Sequence, residues 1–294
     1  MRSIPKLVVL FVAALQLPKA QTASPSDTNL VFINVQAVDR QGHFVPDLCG
    51  HFRLFEDGSE RRIQECTSES APVATAIVLD ASDSMAPFLN ASKAAIRTFL
   101  QTAGPEDEFS LTLVRDTPKP ELNFSSKPEL VLNHVDQAAG GGLTALRDSV
   151  YLAARQLKTA RYPGHAMLVI SDGDDNNSRY SSSDVRSILW EAGIPIYSIG
   201  VHSGSSRTMA ARLYYLQDLA KETGGRYFDA YTAGDFRRIM ENLNTRNRYV
   251  LGYSPSSARA GSTSHRIRVN LEKLNSRMKP SLAWQRGYVA PSSQ

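Results

Sequence analysis

Between residues 73 and 245 the hydrophobic period of this chain changes repeatedly, and that alternation limits the folds open to it. Ala76 to Leu79 is apolar on both faces and runs into Asp80, the pattern of a strand buried within a sheet. Leu89, Ser92, Ala95, Ile96, Phe99 and Leu100 then recur at helical spacing, with Pro87 near the helix start. Phe109, Leu111 and Leu113 alternate as a strand, while Leu130 to Val135, after Pro128, and Ala145 to Leu157 have helical periods. Ala166 to Ser171 is another buried strand, Asp184 to Ala192 a helix stopped by Gly193, and Ile194 to Val201 a strand. Arg212 to Glu222 is a helix closed by Gly224 and Gly225, Tyr227-Phe228 a short strand, and Phe236 to Leu243 a last helix. Strands alternating with helices over about 170 residues predict an α/β fold, a doubly wound and mostly parallel sheet with helices on both faces.

The flanks read differently. In residues 30–72, Val31, Ile33, Val35 and Ala37 share one strand face, and Asp39 to Gly42 is a turn. Phe52 to Phe55 leads into Asp57-Gly58, a hairpin signal, with Arg61 to Cys66 as the returning strand. In residues 246–290, Tyr249, Leu251 and Tyr253 share a face, Ile267, Val269 and Leu271 alternate with polar residues, and Ser281 to Val289 forms a third strand. Neither flank is long enough for its own core. We therefore expect them to pair into one small β-sandwich, with residues 73–245 inserted between them.

The N-terminus carries a targeting pattern. Arg2 and Lys6 precede an apolar run, Leu7 to Leu17, interrupted only by Gln16. A run of about 11 residues suits a signal peptide and is short for a membrane span. We expect a signal peptide over residues 1–20, a polar linker over 21–29, and export to the periplasm, cell surface or medium. Pro18 stands where a small residue is preferred before cleavage, and an uncleaved anchor is the alternative. No later run is long enough to span a bilayer, so no membrane span is expected after signal removal.

Export alters how the two cysteines read. Cys49 and Cys66 form an even pair for an oxidising compartment, with two unbridged thiols as the alternative. The net charge of +4 is small for 294 residues, and the basic residues are scattered. Without a basic run interleaved with aromatics, nucleic-acid binding is not expected.

The chemistry gathers at the predicted strand ends. In open α/β sheets ligands bind at the carboxyl-end rim of the strands. Asp80, Ser82 and Ser84 place one acid and two hydroxyls on the first such loop. Gly140-Gly141-Gly142-Leu143-Thr144, Ser171-Asp172-Gly173-Asp174-Asp175 and Ser203-Gly204-Ser205-Ser206 fall on the same rim. On local grounds alone, Asp80 could cap its strand, and Ser82 and Ser84 could cap the helix after Pro87. Asp148 either leans on the site or faces solvent. Asp174 to Asn177 lacks the Gly and Glu spacing of an EF-hand and reads as a polar surface loop. The six histidines (43, 51, 134, 165, 202 and 265) show no metal-ligand spacing, and His202, near the rim, reads as structural. No Gly-x-Ser-x-Gly elbow, His-Glu-x-x-His helix or phosphate-binding glycine loop occurs, so an enzyme is not expected.

Three motifs now combine. Asp80-Ala81-Ser82-Asp83-Ser84 matches Asp-x-Ser-x-Ser, Thr144 follows a glycine run, and Asp172 lies in Ile170-Ser171-Asp172-Gly173. In order and spacing they resemble the three metal motifs of the von Willebrand factor type A domain, over about residues 73–245. The flanks, with Phe55-Glu56-Asp57-Gly58 and Val250-Leu251-Gly252-Tyr253, resemble an exported bacterial subgroup of that family abundant in Acidobacteria. The resemblance implies a metal-ion-dependent adhesion site. Ser82, Ser84 and Thr144 would ligate the ion directly, and Asp80 and Asp172 would hold its waters. Hard oxygen donors with few direct carboxylates suit Mg²⁺, with Mn²⁺ or Ca²⁺ as substitutes. The implied partner is a protein presenting an Asp or Glu carboxylate. The alternatives are a metal-dependent hydrolase on the same loops and a scaffold with a vestigial site. An aspartyl-phosphate enzyme would place a second acid where Ser82 stands.

Overall fold

A computed structural model describes residues 30–202, 207–243, 245–255, 264–272, 274 and 279–289. The predicted signal peptide, the linker and the Ser203–Ser206 loop lie outside them. The chain begins with β1 (Val31–Val38), β2 (Phe52–Glu56), β3 (Ser59–Arg61) and β4 (Ile63–Ser70). The α/β part follows as β5 (Ala74–Asp80), α1 (Leu89–Gln101), β6 (Glu108–Val114), β7 (Lys119–Ser125), α2 (Pro128–Gln137) and α3 (Leu146–Leu157). It continues through β8 (His165–Ser171), α4 (Ser182–Ala192), β9 (Ile196–Val201), α5 (Arg207–Thr223), β10 (Arg226–Ala230) and α6 (Ala233–Asn242). The chain closes with β11 (Asn247–Tyr253), β12 (Ser264–Leu271), β13 (Ser281–Trp284) and β14 (Gly287–Val289).

The central sheet has the order β10-β9-β8-β5-β6-β7. All its pairings are parallel except β6 with β7. Every residue of β5 is buried, because helices cover both faces. Ile77 and Leu79 pack on one side with Ile96 and Phe99 of α1, Val131 of α2 and Phe236 of α6. Ala76 and Val78 pack on the other with Val150 of α3, Leu189 of α4 and Leu216 of α5. The chain leaves β5 toward β6 but leaves β8 toward β9. The strand order therefore reverses between β5 and β8, and their carboxyl ends flank a crevice.

The two flanks build the predicted sandwich. One sheet has the order β13-β1-β11-β4 and the other β14-β12-β2-β3. Between them lie Ile33, Val35, Leu54, Tyr249, Leu251, Tyr253, Val269 and Trp284. Cys49 precedes β2 and Cys66 lies in β4, so their disulfide links one sheet to the other. Asp107 ties the two crossings into the α/β part. It accepts the Val73 N–H at 3.0 Å on the entry side and pairs with Arg246 at 3.2 Å on the exit side. A second junction joins the ends of α4 and α5 to the sandwich. Trp190 Nε1 donates to the Glu222 carbonyl at 3.0 Å, Gln285 Nε2 to the Trp190 carbonyl at 2.9 Å, and Arg266 pairs with Glu222 at 2.7 Å.

Three elements depart from the sequence expectation. The returning strand from Arg61 to Cys66 is divided, because β3 pairs with β2 while β4 crosses to the other sheet beside β11. The turn before it is as expected, with Asp57 and Gly58 both at positive φ, 49° and 83°. The strand from Ser281 to Val289 also divides, at Gln285-Arg286, which turn to meet Thr223 and Glu222. Finally, nothing in the residue pattern announces β7. Pro118 and Pro120 argue against a strand, but an edge strand leaves one side unladdered and tolerates proline.

The disulfide closes a 17-residue separation, so the chain-entropy model gives it a stabilisation of about 3 kcal/mol. The double variant Cys49→Ser/Cys66→Ser should lose that amount in urea unfolding followed by tryptophan fluorescence. A loss below about 1 kcal/mol would contradict the chain-entropy figure for this loop.

Candidate metal centre

Asp80 is the last residue of β5 and is fully buried. Its Oδ1 accepts the Ser82 N–H at 3.0 Å and the Ser82 hydroxyl at 2.7 Å. Its Oδ2 accepts the Ser171 hydroxyl at 2.5 Å. Ser84 Oγ lies 3.3 Å from Ser82 Oγ. The hydroxyl of Ser82 therefore faces Asp80. Although Ser82 begins a short 3-10 turn over Asp83–Phe88, it makes no side-chain cap bond, and α1, whose N-cap is Phe88, has none either. The helix-capping alternative for Ser82 is not what its side chain does.

Asp172 follows β8, next to Ser171, and is buried as well. One carboxylate oxygen accepts the Asp174 N–H at 3.1 Å. The other, Oδ2, is buried with no hydrogen-bond partner. Burying an unpartnered carboxylate oxygen is costly, so this atom marks a place where a ligand would lower the energy. Gly173 lets the chain turn there, with φ at 78°, and a Cβ on it would come within 2.6 Å of the Arg212 carbonyl oxygen.

Thr144 is buried on the glycine loop before α3. The loop is stitched to the Asp80 segment by Gly141 N–H to the Ala81 carbonyl (2.8 Å) and Asp83 N–H to the Gly142 carbonyl (3.3 Å). It is stitched to the Asp172 segment through Asn176. Thr144 N–H donates to Asn176 Oδ1 at 2.9 Å, and the Thr144 carbonyl accepts the N–H groups of Asn176 and Asn177 at 3.0 Å. The structure thus brings the Asp80, Ser82 and Ser84 segment, the Thr144 segment and the Asp172 segment together at the β5–β8 crevice.

Two buried acids at one place have an electrostatic consequence. Burial pushes Asp80 up from 3.8 to about 6; the Ser171 and Ser82 hydrogen bonds oppose the shift, and the charge of Asp172 adds to it. Among the described residues no three His, Cys, Asp or Glu side chains converge as a metal cage. A cation here would lean on hydroxyl oxygens as much as on carboxylates, the donor set of a hard ion.

Neighbouring polar groups mostly serve the loops. Asp83 is exposed. Asp175 accepts Arg147 N–H and Nε at 2.9 Å, and Asp174 pairs with Arg212 at 3.2 Å. Asp148 takes neither expected role, since its Oδ1 accepts the Arg179 and Tyr180 N–H groups at 2.8 and 2.9 Å. His202 bonds Asp229 at 2.6 Å and stacks on Tyr231, as a structural histidine does. Ser171 was given no role by the motifs. Its signal is in the register: Leu79 pairs with Ile170, so the next residues, Asp80 and Ser171, sit side by side.

The sequence matches the family model of the von Willebrand factor type A domain over residues 76–246, more than half of the chain. The chain belongs to that family, whose domains are in general non-enzymatic modules of protein–protein interaction. No curated protein matches the sequence. Similar solved structures include the conserved hypothetical protein BatB from Bacteroides thetaiotaomicron, at 19% identity, 58% of this chain, 96% of that one and a TM-score of 0.48. A von Willebrand factor type A protein from Catenulispora acidiphila matches at 12% identity, 81% of this chain, 73% of that one and a TM-score of 0.49. Proximal thread matrix protein 1 from the mussel byssus matches at 18% identity, 60% of this chain, 47% of that one and a TM-score of 0.48.

The raised Asp80 value fixes the sign of a pH effect. The metal-free fold favours the protonated acid, so this group's stabilisation is full below about pH 4 and lost as pH rises through about 6. With chelator present, Asp80→Asn should be more stable than the parent by on the order of 2–3 kcal/mol at pH 7, and equal to it near pH 4. Thermal unfolding across that range reads this directly, and equal stability at pH 7 would contradict it.

Proposed function

We propose that this protein is an exported, metal-dependent protein-binding module in which a divalent cation captures an Asp or Glu carboxylate of a partner protein. The observation that carries the reading is Asp172 Oδ2, buried and without a partner beside the equally buried Asp80. Ser82, Ser84 and Thr144 would give their hydroxyl oxygens directly, while Asp80 and Asp172 would hold coordinated waters and supply negative charge. Ser82 is oriented for this. Its proton is directed to Asp80 Oδ1, which leaves the oxygen lone pairs free to face the cation. Ser171 fixes the other carboxylate oxygen, so Asp80 cannot swing away from the rim. When bound, Mg²⁺ supplies an electrophilic position, because neutral hydroxyls neutralise little of its charge. Mn²⁺ or Ca²⁺ would fit the same oxygens.

Two observations support export. Arg2, Lys6 and the apolar run Leu7 to Leu17 have the form of a signal peptide. The Cys49–Cys66 disulfide belongs to an oxidising compartment. No helix among the described residues is long and apolar enough to cross a membrane.

Titration calorimetry with Mg²⁺ or Mn²⁺ tests the site. Asp80→Ala and Asp172→Ala should each weaken binding by roughly tenfold or more, in the range seen when groups supporting a metal are removed. Unchanged affinity in both would rule the site out.

A further inference from the structure

Beside the rim lies a hollow of about 470 Å³ that the site does not use. Asp116, Pro118, Tyr151, Arg155, Arg179 and Tyr180 line it. We propose that it is a second subsite, which takes another acidic side chain from the same partner segment. The proposal rests on the carboxylate-capture reading above and names the second feature its partner must have.

Position is the first argument. The hollow and the metal centre share a wall: the Asp116 carboxylate accepts the Leu143 N–H, and the Asp116 carbonyl accepts Asn177 Nδ2 at 2.7 Å. Leu143 directly precedes Thr144 and is half exposed, at 50%. An extended segment with one acid at the rim would pass over Leu143 before reaching the hollow.

Preorganisation is the second. Tyr151 and Tyr180 stack with ring centroids 3.8 Å apart and planes 13° off parallel. Tyr180 is held from behind, because Asp148 accepts its N–H and that of Arg179. A floor fixed in advance lowers the ordering cost of binding.

Charge complementarity decides the occupant. Arg155 and Arg179 are exposed and make no ion pair among the described residues. The two carboxylates at the hollow, Asp116 and Asp148, instead accept backbone N–H groups. Two guanidinium groups beside an aromatic floor match a carboxylate, which they can bind through paired N–H donors.

The test uses fluorescent glycine-based peptides in millimolar Mg²⁺, read by polarisation. One peptide carries a single Asp. The others carry the same Asp and a Glu, separated by one to four glycines. The best-spaced two-acid peptide should bind roughly tenfold tighter than the single-acid one, the scale of a hydrogen-bonded charge pair. Arg155→Ala/Arg179→Ala should remove that gain and leave single-acid binding unchanged, which also shows that the variant is folded. Arg155→Glu/Arg179→Glu should instead prefer a peptide with Lys in place of Glu. No gain from the second acid at any spacing, no measurable two-acid binding, or a gain that survives the double variant would each overturn the proposal. If the single-acid peptide binds with Mg²⁺ dependence but the second acid adds nothing, metal capture stands and the second subsite falls. If the arginine-dependent gain persists in Thr144→Ala and in chelator, the subsite stands and the metal reading falls.

Discussion

Two carboxylates buried side by side at the ends of β5 and β8 set the terms for the rest of the molecule. Charge is expensive to bury, and the fold offsets part of that cost for Asp80 with three hydrogen bonds, from the Ser82 N–H, the Ser82 hydroxyl and Ser171. For Asp172 it meets only half, since one oxygen bonds the Asp174 N–H and the other bonds nothing. The asymmetry is tolerated because the surrounding loops are tightly over-determined. The glycine loop bonds to the Asp80 segment, Asn176 bonds to Thr144, and Asp175 clamps Arg147. A crevice held this firmly can keep an unfavourable polar arrangement until a ligand relieves it.

The same logic explains why the domain is inserted rather than appended. The sandwich forms only when residues from both ends of the chain meet, as β1 does with β11 and β2 with β12. Asp107 fastens entry and exit at one junction, and Glu222 fastens the ends of α4 and α5 at another. The α/β part therefore sits on the sandwich through both its chain crossings and its helix ends. The carboxyl-end rim is left facing away from the Asp107 junction, since the chain enters at the amino end of β5.

Much of this was legible in the residues. The alternation of buried strands and amphipathic helices gave the doubly wound sheet, because burial on both faces of a parallel strand leaves no room for polar residues. The acid and hydroxyl spacing at 80, 82 and 84, with Thr144 and Asp172, marked the rim positions that the structure brings together. Most of the misses share one cause. At the split near Arg62 and at the split near Gln285, the chain responds to a neighbour far away in sequence, whereas β7 pairs with the strand just before it and was hidden by its prolines. Local pattern carries no information about such a neighbour. Ser171 belongs to the same class, since its role depends on strand register rather than on its own flanks.

The sequence by itself determined the fold class, the family and the residue types available for a site, because period, turn chemistry and motif spacing are local properties. The tertiary structure alone decided how those residues are used. It turned the Ser82 hydroxyl onto Asp80 and away from a helix cap, placed Ser171 across the sheet as its partner, and left one oxygen of Asp172 unsatisfied. It also gathered two arginines and a stacked tyrosine pair around one hollow, whose Asp116 bonds the residue just before Thr144. The physical reason is that hydrogen-bond satisfaction and burial depend on which segments meet in space, and only the assembled sheet brings these segments together.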